Sequence, residues 1–110
     1  MWVMTEDKLV YVKVHEVDEG LGIPRRVVAI CDKELLGKTF KTSKVNLVVN
    51  EDFFGGFEST VDEAVIYLRQ AYTAMIVGKN IVSKAVSEGI IHPESVMKVR
   101  GVPYAQLVRM

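Results

Sequence analysis

The chain has 110 residues, 49% of them apolar, and its 14 basic side chains balance 14 acidic ones. That length buries roughly two thirds of the surface its unfolded form exposes, enough for one domain (1–110) without disulfides or a structural metal. The lone Cys31 excludes an internal disulfide framework and a thiolate-built zinc site. No apolar run approaches the ~20 residues of a spanning helix, and the opening MWVMTEDK lacks the basic and apolar regions of a secretory signal. A cytoplasmic protein without membrane association is expected.

Residues 9–15 (LVYVKVH) are β-branched and aromatic and read as a strand. Two glycines and Pro24 then turn the chain, and residues 26–31 read as an antiparallel second strand. Asp32 is placed to cap a short helical turn through Leu36, with Gly37 as its left-handed exit. Residues 45–49 read as a third strand, followed by a loop in which Phe53, Phe54 and Phe57 surround Gly55 and Gly56. Thr60 and Glu63 have capping-box spacing, and Val61, Val65, Leu68, Tyr72, Met75 and Ile76 form one helical stripe that Gly78 breaks or kinks. Ile81, Val82, Ala85 and Val86 make a second helical face ending near Gly89. Residues 96–100 and 107–109 read as final short strands around Gly101-Val102-Pro103. The order predicts an α+β two-layer sandwich: a mixed or antiparallel sheet of about four to five strands with two helices on one face.

The neutral total conceals sorted charge. Residues 21–49 carry six basic and two acidic groups, while residues 50–63 carry five acidic groups and no basic one. Arg25, Arg26, Lys33, Lys38, Lys41 and Lys44 offer a local surface for phosphates, or simply a solvated face. Leu36-Gly37-Lys38-Thr39 is not a phosphate-binding loop, because Asp32 occupies the place of its first glycine; Gly78-Lys79 fails likewise at Thr73. Cys31, Asp32 and His15 form a nucleophile constellation only if the hairpin brings them together, and the neighbouring carboxylate disfavours a thiolate. His92 before Pro93 reads as a loop residue, and two histidines without a spaced acid give no metal site. No cofactor is indicated.

Cys31-Asp32 with Glu34-Leu35-Leu36-Gly37-Lys38, then Phe54-Gly55-Gly56, Ala71…Ala74…Val77-Gly78, Ala85…Glu88-Gly89 and Gly101-Val102-Pro103-Tyr104-Ala105-Gln106 together form a pattern. It resembles the small archaeal family catalogued as domain of unknown function four-two-four, over nearly all the chain from about Val10. The resemblance implies no established activity and, at most, RNA binding in a translation-related setting. Tyr104 stands where histidine is expected in many relatives, which sets aside an imidazole role there.

The leading expectation is therefore a noncatalytic RNA-associated protein. Arg25, Arg26, Lys38, Lys41, Lys44 and Arg100 are its phosphate contacts, Phe54 or Phe57 its stacking platform, and Tyr104 with Gln106 its base or sugar contacts. The alternatives are a protein-interaction subunit or homo-oligomeric adaptor, and a small enzyme using Cys31 and Asp32.

Overall fold

In the computed structural model, residues 8–108 are described, apart from Glu19, Leu21 and Ile23. The strands are β1 (Leu9–Val17), β2 (Arg25–Asp32), β3 (Thr39–Lys41), β4 (Asn46–Val48), β5 (Phe57–Thr60), β6 (Thr73–Val77), β7 (Met97–Val99) and β8 (Val102–Val108). The helices are α1 (Glu51–Phe54), α2 (Val61–Gln70) and α3 (Lys79–Ser87), with 3-10 turns at Lys33–Leu35 and Pro93–Ser95. Six strands form one mixed sheet in the order β5-β1-β2-β6-β8-β7, larger than expected, in which only β2 and β6 run parallel.

Strand alternation divides the core in two. Val10, Val12, Val28, Ile30, Ala74, Ile76 and Ala105 face α2 and α3, which lie together on one side as expected. Ala29, Cys31 and Val77 face the other way, against Leu47, Val49 and Phe54. That second face is covered by β3, β4 and α1, a partial third layer that the two-layer expectation lacked.

The largest difference concerns residues 71–77. The apolar positions of residues 61–76 fit one helical stripe, but α2 ends at Gln70 and Thr73–Val77 becomes an interior strand between β2 and β8. A run of apolar residues buried on both faces carries no period of its own, so it satisfies a helical pattern by accident. Gly78 thus ends a strand and opens α3, and does not kink a helix. The third strand is Asn46–Val48, and it pairs outside the main sheet with β3, a strand too short to carry a pattern. Residues 102–108 form a single strand in which Pro103 is accommodated, with Arg100-Gly101 as the two-residue turn from β7. Arg109 lies outside the described residues.

The start of α2 follows its sequence signal in part. Thr60 Oγ1 accepts from the Glu63 amide at 3.2 Å, while the Glu63 carboxylate meets the Thr60 hydroxyl at 3.4 Å. Asp32 corrects an expectation: it makes no side-chain cap on the turn that follows it. Its carboxylate crosses the sheet end to α3, where Oδ2 accepts from the Asn80 amide at 2.9 Å and Oδ1 from the Ile81 amide at 3.1 Å. The cap position of α3 is Gly78, which has no side chain to offer and sits at φ +118°. A Cβ there would collide with Asp32 Cγ.

Asp32 is buried, and burial pushes its carboxyl above the usual range while the Asn80 and Ile81 amides pull it back. Asp32→Ala leaves both amides unsatisfied and is expected to cost roughly 2–4 kcal/mol in chemical denaturation. Gly78→Ala is expected to destabilise comparably, and the double variant by less than the sum, because the collision disappears with the carboxylate.

The pH dependence has a defined sign. The folded state holds the Asp32 proton more tightly than the unfolded chain, so this group's contribution is full below pH 3.8 and is lost as pH rises through the folded pKa. Denaturation of the protein and of Asp32→Asn across this acidic range is expected to give a stability difference that moves against the parent as pH rises, then levels off.

Candidate nucleic-acid interface

The candidate site lies on the face covered by β3, β4 and α1. Asn50 caps α1 by accepting from the Asp52 amide at 2.6 Å and the Phe53 amide at 3.3 Å. Once the turn forms, the two adjacent phenylalanines diverge: Phe54 is 3% exposed and fills the core, whereas Phe53 is 37% exposed. His15 on β1 fixes Phe53 from beneath. Its Nε2 donates to the Phe53 carbonyl at 2.9 Å, and the two rings stack at 4.9 Å and 16°. Lys13 Nζ donates to the Asp52 carbonyl at 2.8 Å, a second tie between β1 and α1. Gly56 lets the chain pass Val12, since a Cβ there would collide with the Val12 carbonyl.

Between α1, β4 and the sheet lies an open trough of about 410 Å³. Val27, Met75 and Leu47 make its lining largely apolar, and Thr73, Asn46 and Gln106 bring one hydroxyl and two amides to it. The hairpin forming one wall is basic: no acidic residue occurs between positions 35 and 50, and Lys41 stands opposite Asn46 in the β3–β4 register. Lys44 lies in the turn before Asn46, where the Thr42 hydroxyl accepts from the Lys44 and Val45 amides. Lys38, Lys41 and Lys44 are exposed and form no ion pair among the described residues.

The expected site residues separate into groups. Gln106 lines the trough; Lys41 and Lys44 lie on the hairpin whose Asn46, Leu47 and Val48 form one wall, with Lys38 at its other end. Arg25 lies two residues before Val27, with its guanidinium 4.4 Å from the Tyr72 ring centroid and donating to Tyr72 Oη at 3.1 Å. Arg26 turns to the helix face and donates to Gln70 at 3.3 Å. Phe54 is a core residue with no free face, and Phe57, though exposed, lies on edge strand β5 with its edge toward Tyr67 at 5.2 Å. Tyr104 is half-buried against the second core cluster. Arg100 occupies the β7–β8 turn, beyond the opposite end of β6 from Arg25. One continuous surface joining all of the expected residues is not formed. Phe53, Thr73 and Asn46 were missed; Asn50 followed by Glu51-Asp52 was the available signal, because a cap with acids in its first turn predicts the one-turn helix that presents Phe53.

The cysteine constellation does not assemble. Cys31 pairs with Tyr11 and His15 with Val27, four residues apart along the strands, about 13 Å at the usual rise. Asp32 points to the other face. The thiol is fully buried, and burial first, then the Asp32 charge, pushes its pKa up to about 12. His92 Nδ1 accepts from the Glu94 amide at 3.1 Å, a turn contact. Among the described residues no group of three or more His, Cys, Asp or Glu side chains is placed to hold a metal ion, and no helix is long and apolar enough to cross a membrane.

A family model described as "Protein of unknown function (DUF424)" matches residues 23–110. No curated protein matches the chain. A solved structure, the crystal structure of an uncharacterized conserved protein from Methanopyrus kandleri, is similar with a TM-score of 0.71 and 24% identity, covering 93% of this chain and 95% of that one. At that identity the likeness establishes the fold.

Burial of Cys31 has a direct consequence. Iodoacetamide at mildly alkaline pH is expected to leave the native protein unmodified and to alkylate Cys31 once denaturant is added, as read by intact mass.

Proposed function

The chain belongs to the DUF424 family of proteins of unknown function, and we propose that it is a noncatalytic binding protein for single-stranded RNA, engaged at the trough beside the β3–β4 hairpin. One observation carries this reading: an exposed ring fixed by stacking and side-chain amides on an apolar floor line a single depression, and the hairpin that forms its wall carries lysines with no ion pair among the described residues. These are the three chemistries an unpaired nucleotide requires. Phe53 stacks a base, Gln106 and Asn46 meet base edges or ribose, and Lys41 and Lys44 meet phosphates. Arg25 extends the basic rim at the sheet end. Glu51 and Asp52 lie on the α1 side, so the backbone tracks the hairpin side of the trough.

The same apolar floor, with Val48 45% exposed beside it, favours a second reading as a docking surface for another protein or a second copy. That reading predicts association by light scattering, or capture that survives nuclease treatment.

Fluorescence anisotropy with labelled single-stranded RNA at low and high salt tests the first reading. Binding is expected at low salt and weakens as salt rises. Lys41→Gln with Lys44→Gln should lower the slope of log affinity against log salt by about 1–2. Phe53→Ala should weaken binding by about 5- to 150-fold, the value of one stacked base. Absence of binding at low salt, or unchanged affinity in both variants, overturns the reading.

A further inference from the structure

A second cavity lies at the other end of the sheet. β2 and β6 are parallel neighbours, so their carboxyl ends emerge side by side. From β2 the chain passes into the 3-10 turn and the hairpin on one face; from β6 it passes into α3 on the other. Neighbouring parallel strands whose continuations leave toward opposite faces open a crevice between them, a common place for ligands in such sheets. A cleft of about 600 Å³ occupies this place, within the range of small-molecule sites.

Its lining is chemically mixed in an informative way. Tyr11, Leu9 and Leu36 supply a ring and two apolar side chains; Lys8 and Lys33 come from separate segments; Glu34 and Asn80 complete the wall. Lys8 has no ion-pair partner among the described residues, and Lys33 holds Glu58 at 2.7 Å through an exposed contact that is weak in water. Asp32 already occupies the Asn80 and Ile81 amides, so the helix terminus has little left to give an anion. Any anion here is held by lysine side chains. The side-chain amide of Asn80 makes no hydrogen bond among the described residues, although the residue is half-buried at the cleft.

We propose that this cleft binds a nucleoside monophosphate. The phosphate lies between Lys8 and Lys33, Glu34 accepts from ribose hydroxyls, and the base lies on Tyr11 between Leu9 and Leu36 within reach of the Asn80 amide. An inorganic anion leaves the ring and leucines idle, and a neutral apolar ligand leaves Lys8 and Glu34 unused. The site is separate from the trough and does not depend on the RNA reading.

Two-dimensional amide NMR of the intact chain, titrated with AMP and in parallel with adenosine and inorganic phosphate, tests this. Expected are saturable shifts at Tyr11, Lys33 and Asn80 with AMP, and at least fivefold weaker binding of either fragment. Lys8→Gln, an exposed substitution that leaves the core intact, should weaken AMP at least fivefold, while Gln106→Ala at the trough should leave it unchanged. Three results overturn the proposal: no saturable shift at millimolar AMP, shifts centred on Phe53 and Gln106, or equal affinity for phosphate alone.

Discussion

A buried carboxylate joins the two halves of this chain. Asp32 ends β2, and its oxygens serve as the missing cap of a helix that begins 47 residues later. Without that joint α3 would start with donors buried and unsatisfied, because Gly78 has no side chain to accept from them. The glycine and the aspartate are therefore one feature: the cap comes from outside the helix, and only a residue without Cβ leaves room for it. A charge taken so far out of water costs stability, which the two amides offset in part, and the raised carboxyl pKa records the balance. The same carboxylate disfavours ionisation of Cys31 next to it. The joint thus fixes β2 against α3 and adds to the burial that keeps its neighbouring thiol neutral.

The legible parts of the fold were those with a local period or a local cap. β1 alternates strictly enough to be read, β2 follows as an apolar run set off by Pro24, and Thr60 with Glu63 marks the start of α2 correctly. What escaped was decided by tertiary context. Ala74, Ile76 and Val77 are buried and Met75 is half-buried because layers lie on both faces of the strand, and nothing inside the tetrapeptide distinguishes that from the buried side of a helix. Asp32 was recognised as a capping residue, but the rule that a cap serves the next helical turn misdirected it across the sheet. β3 exists because Leu47 and Phe40 find the second core cluster, a contact between segments that no window of one strand's length contains.

Legibility of the site followed the same division. Lysines in a segment free of acids are exposed wherever they fold, so Lys38, Lys41 and Lys44 were sound surface candidates without knowledge of the hairpin. The aromatic loop was harder. Phe53 and Phe54 are adjacent, and a one-turn helix sends adjacent side chains about 100° apart, so one enters the core as the other leaves it. Which of them does so depends on the phase that Asn50 sets by its cap, and on His15 reaching Phe53 from a strand 38 residues earlier.

The parallel pair makes the two ends of the sheet unequal, and this matters for how two surfaces coexist on so small a chain. At the amino ends of β2 and β6, Arg25 and Tyr72 hold each other across the strands, and the floor opens as a shallow trough toward the hairpin. At the carboxyl ends the chain parts to opposite faces and leaves the larger cleft. Between them stands β6, five residues or roughly 16 Å of hydrogen-bonded strand with neighbours on both sides. An interior strand of this kind is held by ladders on both sides, so it forms a rigid divider between the two ends of the sheet. The trough draws on the first half of β6 and the cleft on the segments beyond its carboxyl end, with no lining residue in common among the described residues.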